Sequence, residues 1–307
     1  MSKVLVITGA TGRKSGGAFA EQLSAHFDTV SEQFPDGIRA VVRQSSDTNR
    51  LEQLISGVSV FRGSLEDPAF LRTALNDADT LVHVAGIHWS REIVTAAAAC
   101  GVRRIILVHT TGIYSKYKQA GEEYRHIDSF VYSACREHHI LLTILRPTMI
   151  YGNTSDQNIV QFIKMVDKLP IMPVINGARY DLQPVHYQDL GKAYYDVLMH
   201  EEETAGRDFI LSGLAPIQLR QMFEIIGEKL GKKVHFVSCP FWIAYLGAWA
   251  VFLLSFKRID YREKVQRLCE SRAFPHQEAS AAFSYAPRSF EAGIAEEIEE
   301  YQRQKKR

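Results

Sequence analysis

Val4-Leu5-Val6-Ile7-Thr8-Gly9-Ala10-Thr11-Gly12-Arg13-Lys14-Ser15-Gly16-Gly17 decides how the whole chain is read. Val4–Thr8 is aliphatic or β-branched on both faces, which marks a strand buried on both sides. The glycines directly after it permit a tight turn and let backbone N–H groups approach a ligand closely. From Gly16 to Phe27 the spacing is helical. A helix opening immediately behind such a turn aims its free N–H groups and positive dipole end at one spot, a good seat for a pyrophosphate. A glycine pattern alone is weak evidence, but between the first strand and first helix of an alternating chain it is specific. Gly9, Thr11, Gly12, Arg13, Lys14 and Gly16 are therefore the expected contacts of a dinucleotide.

Outward from this turn, short apolar runs alternate with helix-like stretches. Ile38–Arg43, Val58–Phe61, Thr80–Val84, Arg104–His109 and Leu141–Leu145 read as strands, with helices around Asp67–Leu75, Ala96–Cys100 and Tyr124–His138. Two-sided apolar strands separated by helices predict a parallel sheet covered on both faces, and right-handed crossovers make it doubly wound. The fold class is α/β: a Rossmann-type doubly wound parallel sheet with a smaller helix-rich C-terminal lobe. Past Pro147 the alternation weakens, and Pro170, Pro173, Pro184 and Pro240 punctuate the chain. The expected division is a dinucleotide-binding domain over residues 1–170, with a return segment at 186–212, and a substrate-binding lobe over 171–307.

The 307 residues carry 36 Lys+Arg against 35 Asp+Glu. Nucleic-acid binders draw their affinity from neutralising phosphates and need a basic excess, so that class is excluded as the main partner. Cys100, Cys135, Cys239 and Cys269 are widely spaced and form no CxxC pair, and no His/Cys constellation resembles a metal site. The N-terminus runs straight into a strand without signal-peptide architecture, so a cytoplasmic location is expected. The apolar run Phe241–Leu254 falls short of the roughly 20 residues that span a bilayer. It reads either as a helix buried in the second lobe or a subunit contact, or as a surface meeting membrane or partner, with Lys257 and Arg258 just behind it.

Cofactor choice follows from the end of the second strand. An NAD-type site usually places an acid about 20 residues beyond the glycines to hold the ribose 2′-hydroxyl. Here the strand ends at Arg43, and Arg13 and Lys14 lie in the glycine loop. Three cations facing a 2′-phosphate make NADP the expected cofactor over NAD.

The sequence resembles the short-chain dehydrogenase/reductase superfamily in its extended and atypical branches, which include nucleotide-sugar epimerases and dehydratases and NmrA-like proteins. Thr8–Gly12 is similar to that superfamily's TGxxGxxG, with Ser15 at the third glycine position and Gly16 one later. Gly63-Ser64-Leu65 resembles its G-D-L beside adenine, with Ser64 for the acid. Val84-Ala85-Gly86 resembles the segment under the cofactor, and Leu145-Arg146-Pro147 the LRP near the nicotinamide. Gln183–His186 with Asp189-Leu190, and Phe283–Ile294, resemble two C-terminal elements of the extended branch. The resemblance implies cofactor contacts at Ser64, Leu65, Ala85, Gly86 and Pro147, and a homodimer through helices around Ala96 and Tyr132.

It also implies a hydroxyl after the fifth strand that polarises a substrate oxygen, and a Tyr–x–x–x–Lys pair for proton transfer. Thr110 matches the hydroxyl and Tyr124 the tyrosine, but Asp128 stands in the lysine position. A carboxylate one turn from a phenol raises its pKa, opposite to what proton transfer needs. The literal match Tyr114-Ser115-Lys116-Tyr117-Lys118 lies too close behind the fifth strand and reads as loop, from which Lys116 or Lys118 swinging in would replace the missing cation. His88, Thr111, Tyr151, Gln183 and His186 are expected at the substrate end. Two functions stay open: an oxidoreductase or epimerase on a nucleotide-sugar-like or small carbonyl compound, and a cofactor-sensing protein without chemistry.

Overall fold

In the computed structural model, which describes residues 2–117 and 119–306, seven parallel strands form one sheet. They are β1 (Val4–Thr8), β2 (Ile38–Val42), β3 (Ser59–Arg62), β4 (Ala78–His83), β5 (Arg104–Val108), β6 (Leu141–Pro147) and β7 (Asp208–Leu211). Their order is β7-β6-β5-β4-β1-β2-β3, so the strand order, not the strand direction, reverses between β1 and β4. Ligands of such sheets bind at that reversal, beyond the carboxyl ends of the strands.

Every residue of β1 is buried, and its alternation divides the core. Leu5 and Ile7 join Phe19, Leu23, Tyr194 and Phe209 on one face, whereas Val4 and Val6 join Leu81, Ile93, Ile105 and Val131 on the other. The helix Ser15–Ala25 packs against Tyr187–Met199 so closely that a Cβ on Gly191 would lie 2.5 Å from the Ala18 backbone. Fully buried Arg104 donates to the carbonyls of Leu198 (2.8 Å) and Val197 (2.7 Å), placing a cation at that helix's C-terminal end. The expected return thus reaches the sheet through the helix Tyr187–Met199 and β7, which pairs with β6 in parallel.

A third core unites Ile159, Ile163 and Val166 with Met222, Phe223 and Ile226 and with Ile294 and Ile298 of the last helix, Phe290–Lys305. This core draws on residues on both sides of position 171 and on the C-terminal helix. In contrast, Ala279, Phe283 and Tyr285 pack back onto the first sheet face.

The run Phe241–Leu254 is one helix, but only Ala248 in it is buried. Its expected burial within the second lobe does not occur. Among the described residues no helix is long and apolar enough to cross a membrane.

Candidate functional site

The turn after β1 is built for close approach. Gly9 has φ +77°, and a Cβ there would lie 2.9 Å from the Ala85 backbone nitrogen. A Cβ on Gly16 would lie 2.1 Å from the Gly9 carbonyl oxygen. Gly16 therefore takes the tight helix-to-turn contact, one position later than the superfamily spacing. His83, at the end of β4, locks this turn to the next one: its Nδ1 accepts from the Thr8 hydroxyl (2.8 Å) and its Nε2 donates to Gly86 O (3.0 Å). Burial lowers its pKa to about 4, so the imidazole is neutral and holds one tautomer. Nothing in the local sequence around His83 marks this bridging role.

The three cations expected around one phosphate separate. Arg43 shares a hollow with Gln44, Ser45, Gly63 and Ser64 beyond β2 and β3. Arg13 points elsewhere and pairs with Glu300 of the last helix at 3.0 Å. Lys14 lines the central cleft. Of the three, only Arg43 lies in that hollow, and among the described residues no acidic side chain lines it. Ser64 Oγ accepts from Glu66 N (3.1 Å), and Leu65 packs against the second sheet face.

The cleft, about 450 Å³, is lined by Lys14, Gly86, His88, Thr110, Thr111 and Tyr124 from the sheet side and by Gln183, Arg267 and Arg272 from the other. Thr110 caps the short turn Thr111–Tyr114, its Oγ1 accepting from Gly112 N (3.0 Å). Thr111 donates to Pro147 O (3.2 Å), joining the ends of β5 and β6. Tyr124 stacks edge-on against His88, with ring centroids 5.4 Å apart. Burial raises its phenol pKa, the Glu123 carboxylate adds to this, and Arg267 opposes it. Both ends of the Gln183 amide are engaged, by Gly213 O (2.7 Å) and Phe274 N (3.0 Å).

Asp128 does not act on Tyr124 as the sequence implied. It is buried, accepts from His109 Nδ1 (2.7 Å) and ion-pairs with Arg146 (2.8 Å), which also holds Asp208 (2.6 Å). His109 Nε2 then accepts from the Ser90 hydroxyl (2.9 Å). Burial opposes ionisation of Asp128, but His109 and Arg146 outweigh it and keep its pKa below the ordinary carboxylate value. The carboxylate is a structural counter-charge under the cleft floor. Ser115 and Lys116 N bind Glu270 (2.6 and 2.8 Å), which straps that loop to the C-terminal lobe; Lys118 lies outside the described residues.

Tyr151 and His186, expected at the substrate end, are buried against the last helix instead. A Cβ on Gly293 would lie 2.4 Å from the Tyr151 hydroxyl, and neither ring lines the cleft. His186 caps the helix Tyr187–Met199, and burial, with Arg288 nearby, lowers its pKa to about 3. Beneath them Glu297 accepts from Gly152 N (2.8 Å). Burial and the adjacent Asp156 push its pKa up to about 10, so it is a neutral acid at pH 7. Its folded pKa lies above the unfolded one. The fold is therefore favoured below the ordinary carboxylate pKa and loses stability as pH rises from there towards 10. Glu297→Gln keeps both hydrogen-bonding functions without the proton. It is expected to add on the order of 2 kcal/mol at pH 8, a few degrees in melting temperature, and little at pH 4. Thermal melts across that range that show the same difference at every pH would refute this.

Arg267 and Arg272 escaped the sequence reading, because nothing local distinguishes them from solvated arginines. Arg272 N donates to Asp181 O (2.7 Å), an edge contact that turns its side chain inward. Burial, with Arg267 adding to it, lowers its pKa to about 10, and among the described residues no carboxylate pairs with its guanidinium. Both Nε atoms are buried and unpartnered. Arg267 keeps a pair with Glu263 (3.5 Å), whereas Arg272 brings its charge to a cleft that Lys14 and Asp156 also line.

The fold is that of an α/β protein with a Rossmann-type doubly wound parallel sheet. The chain belongs to the NmrA-like family, whose family model matches residues 1–246. A comparison with curated protein sequences gives no match. Among solved structures, gox2253 is similar at 21% identity, with a TM-score of 0.77 and 99% of both chains covered. The dTDP-glucose 4,6-dehydratase from Streptomyces venezuelae, solved with NAD bound, is 16% identical with a TM-score of 0.73, covering 99% of this chain and 98% of that one. UDP-glucuronic acid 4-epimerase from Bacillus cereus, in complex with UDP-glucuronic acid and NAD, is 14% identical with a TM-score of 0.73, covering 98% of this chain and 99% of that one. At these identities the likeness is one of fold.

Proposed function

We propose that this protein binds NADP(H) and acts as an oxidoreductase or epimerase on a small anionic compound, of nucleotide-sugar or carbonyl type. The observation that carries this is the convergence of Thr110 and Tyr124 with Arg267 and Arg272 on one cleft beside the glycine turn. The turn fits a dinucleotide: N–H groups at the opening of the helix Ser15–Ala25 would hold a pyrophosphate, and Arg43 would answer a 2′-phosphate. NADPH would supply the hydride and be left as NADP+, and the chain's own residues orient the substrate and manage its proton. The arginines hold the substrate's anionic group, while Thr110 and Tyr124 hydrogen-bond the reacting oxygen. A phenol kept protonated by burial is still far more acidic than the alcohol left after hydride addition, so its proton moves towards that alkoxide.

The test follows absorbance of reduced nicotinamide with nucleotide sugars and anionic carbonyl compounds, together with product analysis, since an epimerase recycles its cofactor. Arg272→Met is expected to raise KM about 10–100-fold, the loss of charge-assisted hydrogen bonds, with coenzyme affinity unchanged. An activity that survives Thr110→Ala combined with Tyr124→Phe would remove both from the chemistry. A second reading, a cofactor sensor without turnover, is favoured by one observation: Asp128, in the expected lysine position, is committed to Arg146. State-selective nucleotide binding with no product from any substrate would support it.

A further inference from the structure

We propose that the helix Phe241–Leu254 and the turn behind it dock this protein on a lipid bilayer bearing anionic headgroups. Its sequence, FWIAYLGAWAVFLL, has no charged residue. Exposure is extreme for such side chains: Trp242 67%, Leu246 64%, Leu254 80%, and Phe256 just beyond it 89%. Contiguous apolar surface of this kind marks an interaction site.

The shape of the patch selects lipid over protein. A partner chain covers one side of a helix, and its binding helix is apolar on that side and polar on the other. Apart from the strip that packs on the helix Arg262–Leu268, this helix is apolar all round, and acyl chains can surround it on several sides at once. At about 1.5 Å per residue it is roughly 21 Å long, less than the hydrocarbon core, so it enters the bilayer without spanning it.

Charge and backbone agree. Lys257 and Arg258 lie in the turn just beyond the helix, after Ser255 and Phe256, and no acidic side chain among the described residues pairs with either. Phe256 and Lys257 hold φ +53° and +65°, the left-handed region that non-glycine residues avoid. This turn carries the most exposed phenylalanine outward beside two cations, the pairing that inserts into acyl chains while meeting anionic heads. Arg262 lies over the Trp249 and Phe252 rings (4.3 and 4.0 Å to the centroids), where Asp260 balances its charge.

The test is flotation of the full chain with vesicles of phosphatidylcholine alone and of phosphatidylcholine with phosphatidylglycerol in equal parts. The protein is expected to float with the mixed vesicles and less with the neutral ones. Leu254→Glu with Phe256→Glu should weaken this about tenfold or more, with the melting temperature unchanged because both side chains are exposed. Trp242→Glu, at the other end of the helix, should do the same, and Lys257→Gln with Arg258→Gln should abolish the preference for phosphatidylglycerol. Absence of flotation, flotation indifferent to these substitutions or to the headgroup, or a vesicle-free dimer that the Leu254/Phe256 pair abolishes while nothing floats, would overturn the proposal. None of these outcomes depends on coenzyme binding.

Discussion

Gly16→Ala is expected to abolish nicotinamide dinucleotide binding and to cost several kcal/mol of stability. A Cβ at this position would lie 2.1 Å from the Gly9 carbonyl oxygen and 3.0 Å from its carbon, a backbone contact that no side-chain rotation relieves. Either the helix Ser15–Ala25 moves away from the turn or the turn opens. Both displace the N–H groups that a pyrophosphate needs, and overpacking on this scale costs about 1–3 kcal/mol or more. Gly247→Ala serves as the control: a Cβ there meets nothing within 4 Å, and alanine in a helix gains about 1 kcal/mol over glycine. Isothermal calorimetry with NADPH and NADH, alongside thermal melts, reads both effects. If Gly16→Ala binds either coenzyme as the parent does, the phosphate seat lies elsewhere.

Asp128→Lys separates the sequence-derived picture from the structural one. Restoring Tyr–x–x–x–Lys would improve catalysis if residue 128 faced the coenzyme ribose. In the fold the new ammonium would instead meet the buried Arg146 guanidinium where a carboxylate stood 2.8 Å away, and would leave His109 without its acceptor. Breaking a buried pair costs about 3–5 kcal/mol, and a like charge adds to it. The variant is expected to lose that much in urea unfolding and to gain no activity; a stable, faster enzyme would reinstate the lysine register. The wild-type group has a pH signature of its own. Because the Asp128 pKa is depressed in the fold, its contribution is present at neutral pH and is lost as pH falls below the ordinary carboxylate range. This loss runs opposite in sign to the loss associated with Glu297.

Most of the sheet was legible in the chain because each strand announces itself locally. Leu5 and Ile7 face one core and Val4 and Val6 the other, so the run is apolar at every position. The glycine turn was legible for the same reason: a left-handed φ at Gly9 and close contact at Gly16 are demands on single residues. The site was legible only in part. Thr110, Thr111, Tyr124, His88 and Gln183 do gather on the cleft, whereas Tyr151 and His186 are drawn under the last helix by Gly293, more than a hundred residues on from either. Arg267 and Arg272 had no local signature, since an arginine's role depends on whether a carboxylate comes to meet it.

What the sequence determined by itself is the order of strands and helices, the turn that opens the first helix, and the absence of any charge from Phe241 to Leu254. The tertiary structure alone decided where the charges are spent. Arg13 meets Glu300 from 287 residues away, Arg146 claims Asp128 and Asp208, and Arg272 keeps its charge for the cleft. The physical reason is one of range. Backbone geometry and apolar periodicity are set by neighbours a few positions apart, but an ion pair needs only proximity in space and a burial that makes the alternative costly.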